Sequence, residues 1–233
     1  MTDILPKPGS YRTTQQISDS QIKLGMTVDR ILREIESAQN KIVATKQEVA
    51  NRWKTVAGIA PADRSRIAQR EAATRTREIV KDTIVKLEDA YRTAEELYEE
   101  IKLSEVFYPG KLQFLMNATI MSEKRAQYAA ALSLAGPVEL AGYASYAVGV
   151  QDVVMAAAVI QANDALPAKE RRFLSVAVSE RIDISAWNSV QATFKRAEIL
   201  WNQAEIAVRT FKSGKSSPVD TIRLAMLKSD SGS

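Results

Sequence analysis

Residues 24–56, LGMTVDRILREIESAQNKIVATKQEVANRWKTV, decide the fold. Leu24, Val28, Ile31, Ile35, Ala38, Ile42, Thr45, Val49, Trp53 and Val56 recur at spacings of four and three, with charge on the other faces. Four heptads of this pattern form an a/d seam, the signature of helices packed nearly parallel to one another. Gly58 and Pro61 end this helix, and Asp63 is placed to cap the next. The alternation resumes at Val80, Ile84, Leu87, Tyr91, Ala94, Tyr98 and Ile101. A second helix over 63–106 is expected, about 66 Å long at 1.5 Å per residue. The short connection makes the pair an antiparallel hairpin.

Working outward, residues 1–17 read as an extended arm, because Pro6, Pro8 and Gly9 break any helix. Helix is expected from Ser18 or Ser20. After Tyr108-Pro109-Gly110 the pattern predicts a third helix over 111–135, ended by Gly136-Pro137, and a fourth over 138–165, stopped at Leu166-Pro167. A shorter helix is expected over 168–180. A closing helix over 185–213 carries Val190, Phe194, Ala197, Trp201, Ala204, Val208 and Phe211 in the same four-three pattern. Residues 214–233 then form a linker, a short helix opened by Pro218, and a tail. The expected fold is all-α: an elongated antiparallel bundle spanning 18–213, with coiled-coil-like long helices and short C-terminal ones. With 9 glycines, 7 prolines and 6% aromatics, the chain lacks the punctuation of a β-sandwich.

The 233 residues contain no histidine and no cysteine. That excludes disulfides, thiolate nucleophiles, Cys- or His-ligated metals and imidazole proton relays. The di-metal sites of helical bundles pair Glu with Glu-x-x-His, which this chain cannot supply. No catalytic, metal-binding or cofactor-binding residue is assigned, and no small-molecule substrate is expected. Ser213-Gly214-Lys215-Ser216 resembles the end of a phosphate-binding loop, but Arg209 stands where the motif needs its first glycine. No secretory signal or transmembrane stretch is evident, which points to a cytoplasmic protein or a particle component.

Two constellations remain. Between Lys46 and Arg77, eight basic residues face three acidic ones, and between Glu78 and Glu105, nine acidic residues face four basic ones. The hairpin tip is therefore basic, with Arg64, Arg66, Arg70, Arg75 and Arg77 as its patch. Three readings stay open: an ordinary solvated face, contact with acidic ends of neighbouring subunits, or contact with DNA or an anionic membrane. The second constellation is 126–163, which holds no Lys or Arg and only Glu139 and Asp152 as acids. Ala141, Ser145 and Gly149 form a small-residue ridge, and Asp152 and Met155 continue the seam of the predicted fourth helix. These five residues are the expected oligomer interface, with Asp152 setting register. The alternative is a membrane-active bundle that binds anionic lipid or inserts 126–163 on a trigger.

The arm-like start MTDILPKPGSYRTT, the long charged helices and the stretch AAALSLAGPVELAGYASYAVGVQDVVMAAAVIQ resemble small virion structural proteins of tailed bacteriophages, particularly internal core or DNA-ejection proteins. That resemblance implies a homo-oligomeric ring or tube within a virion, other virion proteins as partners, and a channel role on infection. No residue role follows from it.

Overall fold

In the computed structural model, residues 12–119, 122–214 and positions 219, 222 and 226 are described. Eight helices and no strand occur among them: α1 Thr14–Lys54, α2 Pro61–Phe107, α3 Lys111–Ala118, α4 Glu123–Leu132, α5 Pro137–Val150, α6 Val153–Ala165, α7 Ser175–Arg181 and α8 Ser185–Ser213. The fold is an all-α bundle whose two longest helices pack on one another. The chain divides into two compact units, residues 1–105 with 193–233, and residues 106–192.

In the first unit, α1 starts at Thr14, four residues before the expected boundary. Thr13 and Gln16 form a reciprocal capping box there: the Gln16 N–H donates to Thr13 Oγ1 and the Thr13 N–H to Gln16 Oε1, which fixes the earlier start. Residues 1–11 of the arm lie outside the described residues. The α2 helix likewise begins earlier, with Pro61 at its first position and Asp63 inside its first turn. The pairs Arg12–Glu100, Glu48–Arg75 and Arg52–Glu71 set α1 and α2 antiparallel.

Burial shows how far the third helix of this unit reaches. Ile17, Leu24, Val28, Ile31, Ile35 and Ala38 are buried on α1, and Thr83, Leu87, Ala90, Ala94 and Ile101 on α2. The matching residues of α8 run from Phe194 to Phe211. Trp201 stacks on Tyr98 at 5.4 Å between ring centroids and lies tilted on Tyr91 at 5.3 Å. The field of Glu198 acts on Tyr98 and that of Glu205 on Tyr91, so α8 runs antiparallel to α2. From Trp201 to Ser213 is about 18 Å of helix. The same rise along α2 ends near Thr83, the last buried residue of α2 toward the tip. Beyond that point α1 and α2 continue as a pair, with Val49 alone fully buried.

In the second unit α6 is central. It packs on α4, α5 and α7, and its residues Met155–Ile160 are all buried. Three consecutive alanines, Ala156–Ala158, keep the helix thin enough for neighbours on several sides. Around it lie Leu115, Leu132, Leu140, Ala147, Val178 and Ile182. Two expected long helices are each divided. The predicted 111–135 helix ends at Ala118 and restarts at Glu123, where Ser122 accepts from the Arg125 N–H as an N-cap. The predicted 138–165 helix breaks at Gln151 and Asp152. Gln151 is left-handed at φ 56°, a conformation costing about 1 kcal/mol for a side-chain-bearing residue. Its amide offsets this by donating to the carbonyls of Val148 and Arg181 and accepting from the Asp183 N–H. The fifth helix is also shorter than expected, starting at Ser175 and not near 168.

Candidate functional site

The hairpin tip is closed by three devices. The Arg64 guanidinium donates to the carbonyls of Ile59 and Lys54 across the turn. Glu71, on α2, accepts from Arg52 and from the Trp53 indole at 2.8 Å, both on α1, and pairs with Arg75 at 3.1 Å. Arg75 reaches back to Glu48. Hydrogen bonds from Arg52 and Trp53 hold the Glu71 carboxyl below its ordinary range, and the same contact raises Arg52.

These contacts divide the predicted basic patch. Arg64 and Arg75 turn toward α1 and are spent on the hairpin itself. Arg66, Arg70 and Arg77 fall within about 40° of one another on the helix and form one exposed stripe. Arg66 is tied to Asp63 at 3.0 Å, an exposed i,i+3 pair. The sequence showed the charge excess, but only the α1–α2 register shows which arginines it leaves outward.

Between α1 and α2, past the end of α8, lies a groove of about 840 Å³. Ala50, Trp53, Ala68, Ala72 and Ala73 line it, with Lys46, Lys54 and Arg64 on its rim. A smaller cavity bordered by Thr76, Val80, Ile84 and Val85 lies next along α2. The Thr76 hydroxyl, shared by both cavities, is buried and has no hydrogen-bond partner among the described residues.

On α5 the predicted ridge turns outward. Leu140, Ala144 and Ala147 face the core of the second unit, while Ser145 and Gly149 are exposed and Ala141 is half-buried. Val138 (72% exposed), Tyr146 (60%) and Val150 (52%) share the open side. Gly142 and Gly149 lie there too, and a Cβ at either would meet nothing within 4 Å. Asp152 and Met155 lie past the end of α5, and Met155 borders a cavity with Gly142 and Tyr146. Met155 is buried in the unit's core. Asp152 is the N-cap of α6: Oδ1 accepts from the N–H groups of Val154 and Met155, and Oδ2 from Lys124 at 2.8 Å and the Tyr128 hydroxyl at 2.9 Å. Burial pushes this carboxyl up, but the bonds from Lys124, Met155 and Tyr128 outweigh it and hold it below its ordinary range. Its seam position hid this role, because a capping Asp and a register-setting Asp look alike in a periodic pattern.

Sequence reasoning also missed Arg125. It is 8% exposed and donates to the Met116 carbonyl, Thr119 Oγ1 and Gln161 Oε1. Desolvation lowers its pKa. Three neutral acceptors take the place of a counterion and join α3, α4 and α6.

No group of three or more carboxylates among the described residues is placed to hold a metal ion. No helix among them is long and apolar enough to cross a membrane. Lys215 and Ser216 of the phosphate-loop look-alike at 213–216 lie outside the described residues, while Ser213 ends α8 and Gly214 is a turn. Comparison with protein-family models, curated proteins and solved structures found no match.

Proposed function

We propose that this chain is a non-enzymatic structural protein that assembles with copies of itself through the outward face of α5. The pair Gly142 and Gly149 carries the proposal. Glycine inside a helix costs about 0.8–1.0 kcal/mol relative to alanine. Neither residue has a positive φ, and a Cβ at either would meet nothing among the described residues within 4 Å. A helix from a second copy, approaching closely, gives both glycines a purpose. The face is self-complementary: Tyr146 is a knob, and the two glycines are the hollows flanking it along the helix. Apart from Glu139 at its rim the face is uncharged, so pairing with itself brings no like charges together at the centre.

The exposed stripe Arg66–Arg70–Arg77 supplies a second contact, toward acid on neighbouring copies or toward phosphate. The resemblance to phage virion proteins gives such an assembly a setting, and portal, capsid or tail genes beside this one would identify it. Light scattering tests the oligomer. The chain should be an oligomer that Gly142→Leu and Gly149→Leu dissociate without loss of helical circular dichroism. An unchanged mass in both variants would remove α5 from the account.

A further inference from the structure

One stripe along α2, within about 60° of helix surface at 3.6 residues per turn, holds almost nothing but charge between residues 63 and 102. After Asp63 its first half is basic, with Arg66, Arg70, Arg77 and Lys81. Its second half is acidic, with Glu88, Glu95 and Glu99 before Lys102. All of these side chains are exposed, and Ile84 at the middle is half-buried. Local helix electrostatics disfavour this order. Arg66–Arg70, Arg77–Lys81 and Glu95–Glu99 are like-charge pairs four residues apart, which repel. The macrodipole also opposes base near the first turns and acid near the last. Among the described residues, ion pairs of the stripe occur only at its two ends: Asp63 with Arg66 at 3.0 Å, and Lys102 with Glu105 at 2.8 Å.

Read backwards, the charges repeat with their signs reversed. About a midpoint between residues 82 and 83, Asp63 answers Lys102, Arg66 answers Glu99, Arg70 answers Glu95 and Arg77 answers Glu88. We propose that this stripe of α2 pairs antiparallel with the same stripe on a second copy, about a two-fold axis at that midpoint. In this register each of the four opposite-charge pairs forms twice, and none of these eight residues meets a like charge. Ile84 stands beside its own copy at the centre. The acidic end of each helix lies along the basic end of the other, which relieves the repulsion within both. A parallel copy would set base on base and acid on acid. A phosphate surface would use the basic half alone and give the acidic half no role, so the sign reversal selects a second copy over nucleic acid or lipid. The pairing rests on the assembly reading above. Exposed ion pairs are individually weak, so this contact orients copies that α5 holds together and does not hold a dimer alone.

The cysteine-free chain supplies single-site reporters. In the full chain with both α5 glycines intact, Lys81→Cys lies beside the two-fold axis and should be joined to its own copy by a short bis-maleimide. Arg66→Cys should not link to itself, because its copy stands about 50 Å away along the pair, but it should link to Glu99→Cys when the two variants are co-expressed. In the Lys81→Cys background, Arg70→Glu with Arg77→Glu should cut the link at least tenfold, and so should Glu88→Arg with Glu95→Arg. Co-expressing these two charge variants should restore it, since an all-acidic stripe then faces an all-basic one. Absence of the Lys81→Cys link, self-linking of Arg66→Cys, or a co-expressed mixture that links no better than either variant alone would each overturn the pairing. An absent link together with polyphosphate binding that Arg70→Glu and Arg77→Glu abolish would assign the stripe to phosphate and overturn it too. Assembly through α5 fails separately, by an unchanged mass in the glycine variants.

Discussion

Replacing Asp152 by alanine separates two accounts of this residue by the sign of the effect. As the N-cap of α6, Asp152 satisfies the N–H groups of Val154 and Met155, a contribution of about 1 kcal/mol with a range of about 0.5–2. Removing the carboxylate also leaves the half-buried Tyr128 hydroxyl without its acceptor, which costs about 1 kcal/mol. The Lys124 ammonium is 55% exposed, so its pair adds under about 1 kcal/mol. Asp152→Ala should therefore cost about 2–3 kcal/mol. Asp152→Asn keeps a good cap and should cost under about 1 kcal/mol. If Asp152 instead sat in the seam of one continuous helix, alanine would raise helix propensity and relieve a charge, and the variant would gain stability.

Equilibrium urea denaturation followed by circular dichroism measures both variants. The pH dependence carries the same distinction. The Asp152 carboxyl is held below its ordinary range. Its contribution is thus fully present above the unfolded-state pKa of about 3.9 and is lost as pH falls through the lower folded value. The Asn variant should lack that acid-side loss. An Asp152→Ala protein as stable as the parent at pH 7 would refute the capping account.

Three further outcomes are expected. Trp201→Ala removes the ring held between Tyr91 and Tyr98 and should cost about 3 kcal/mol in the same urea assay. Glu71→Gln should lower amide-exchange protection in the tip segments of α1 and α2 at pH 7. In the parent that advantage should shrink as pH falls through the depressed Glu71 value. Arg125→Ala strands the Gln161, Thr119 and Met116 oxygens and should cost about 2–4 kcal/mol by urea denaturation, whereas a surface arginine such as Arg70 should tolerate alanine within about 0.5 kcal/mol.

The long helices were legible because the seam of residues 24–56 and its counterparts on α2 and α8 repeat with little interruption. A periodic apolar pattern reports the buried side of a helix well. It is silent on breaks when both flanking pieces are apolar, which is why Gln151 and Asp152 vanished inside a helix predicted over 138–165. The decisive signal there is a left-handed glutamine, a conformation no spacing rule encodes. The basic tip was visible as composition. The division of its arginines between Glu71, backbone carbonyls and solvent depends on which turn of α1 faces which turn of α2, and a one-dimensional count lacks that register. The same holds for the groove. The sequence expects α8 to end at Ser213, as it does, but that α8 itself stops near Thr83, short of the tip, follows only once it is aligned against Tyr91 and Tyr98. Gly149 stood in the sequence as one small residue of a ridge with Ala141 and Ser145, whereas Gly142 was not singled out, and the outward direction of both glycines emerged only with the α6 core beneath them.

The central claim is that the open face of α5 joins copies of this chain. Sedimentation velocity of the 233-residue chain across a hundredfold range of concentration tests it most directly. The account predicts one closed oligomer whose mass holds as the protein is diluted and which collapses to the 25.7 kDa chain when Gly142 and Gly149 are both replaced by leucine. A parent protein that sediments as a 25.7 kDa monomer at every concentration would contradict it.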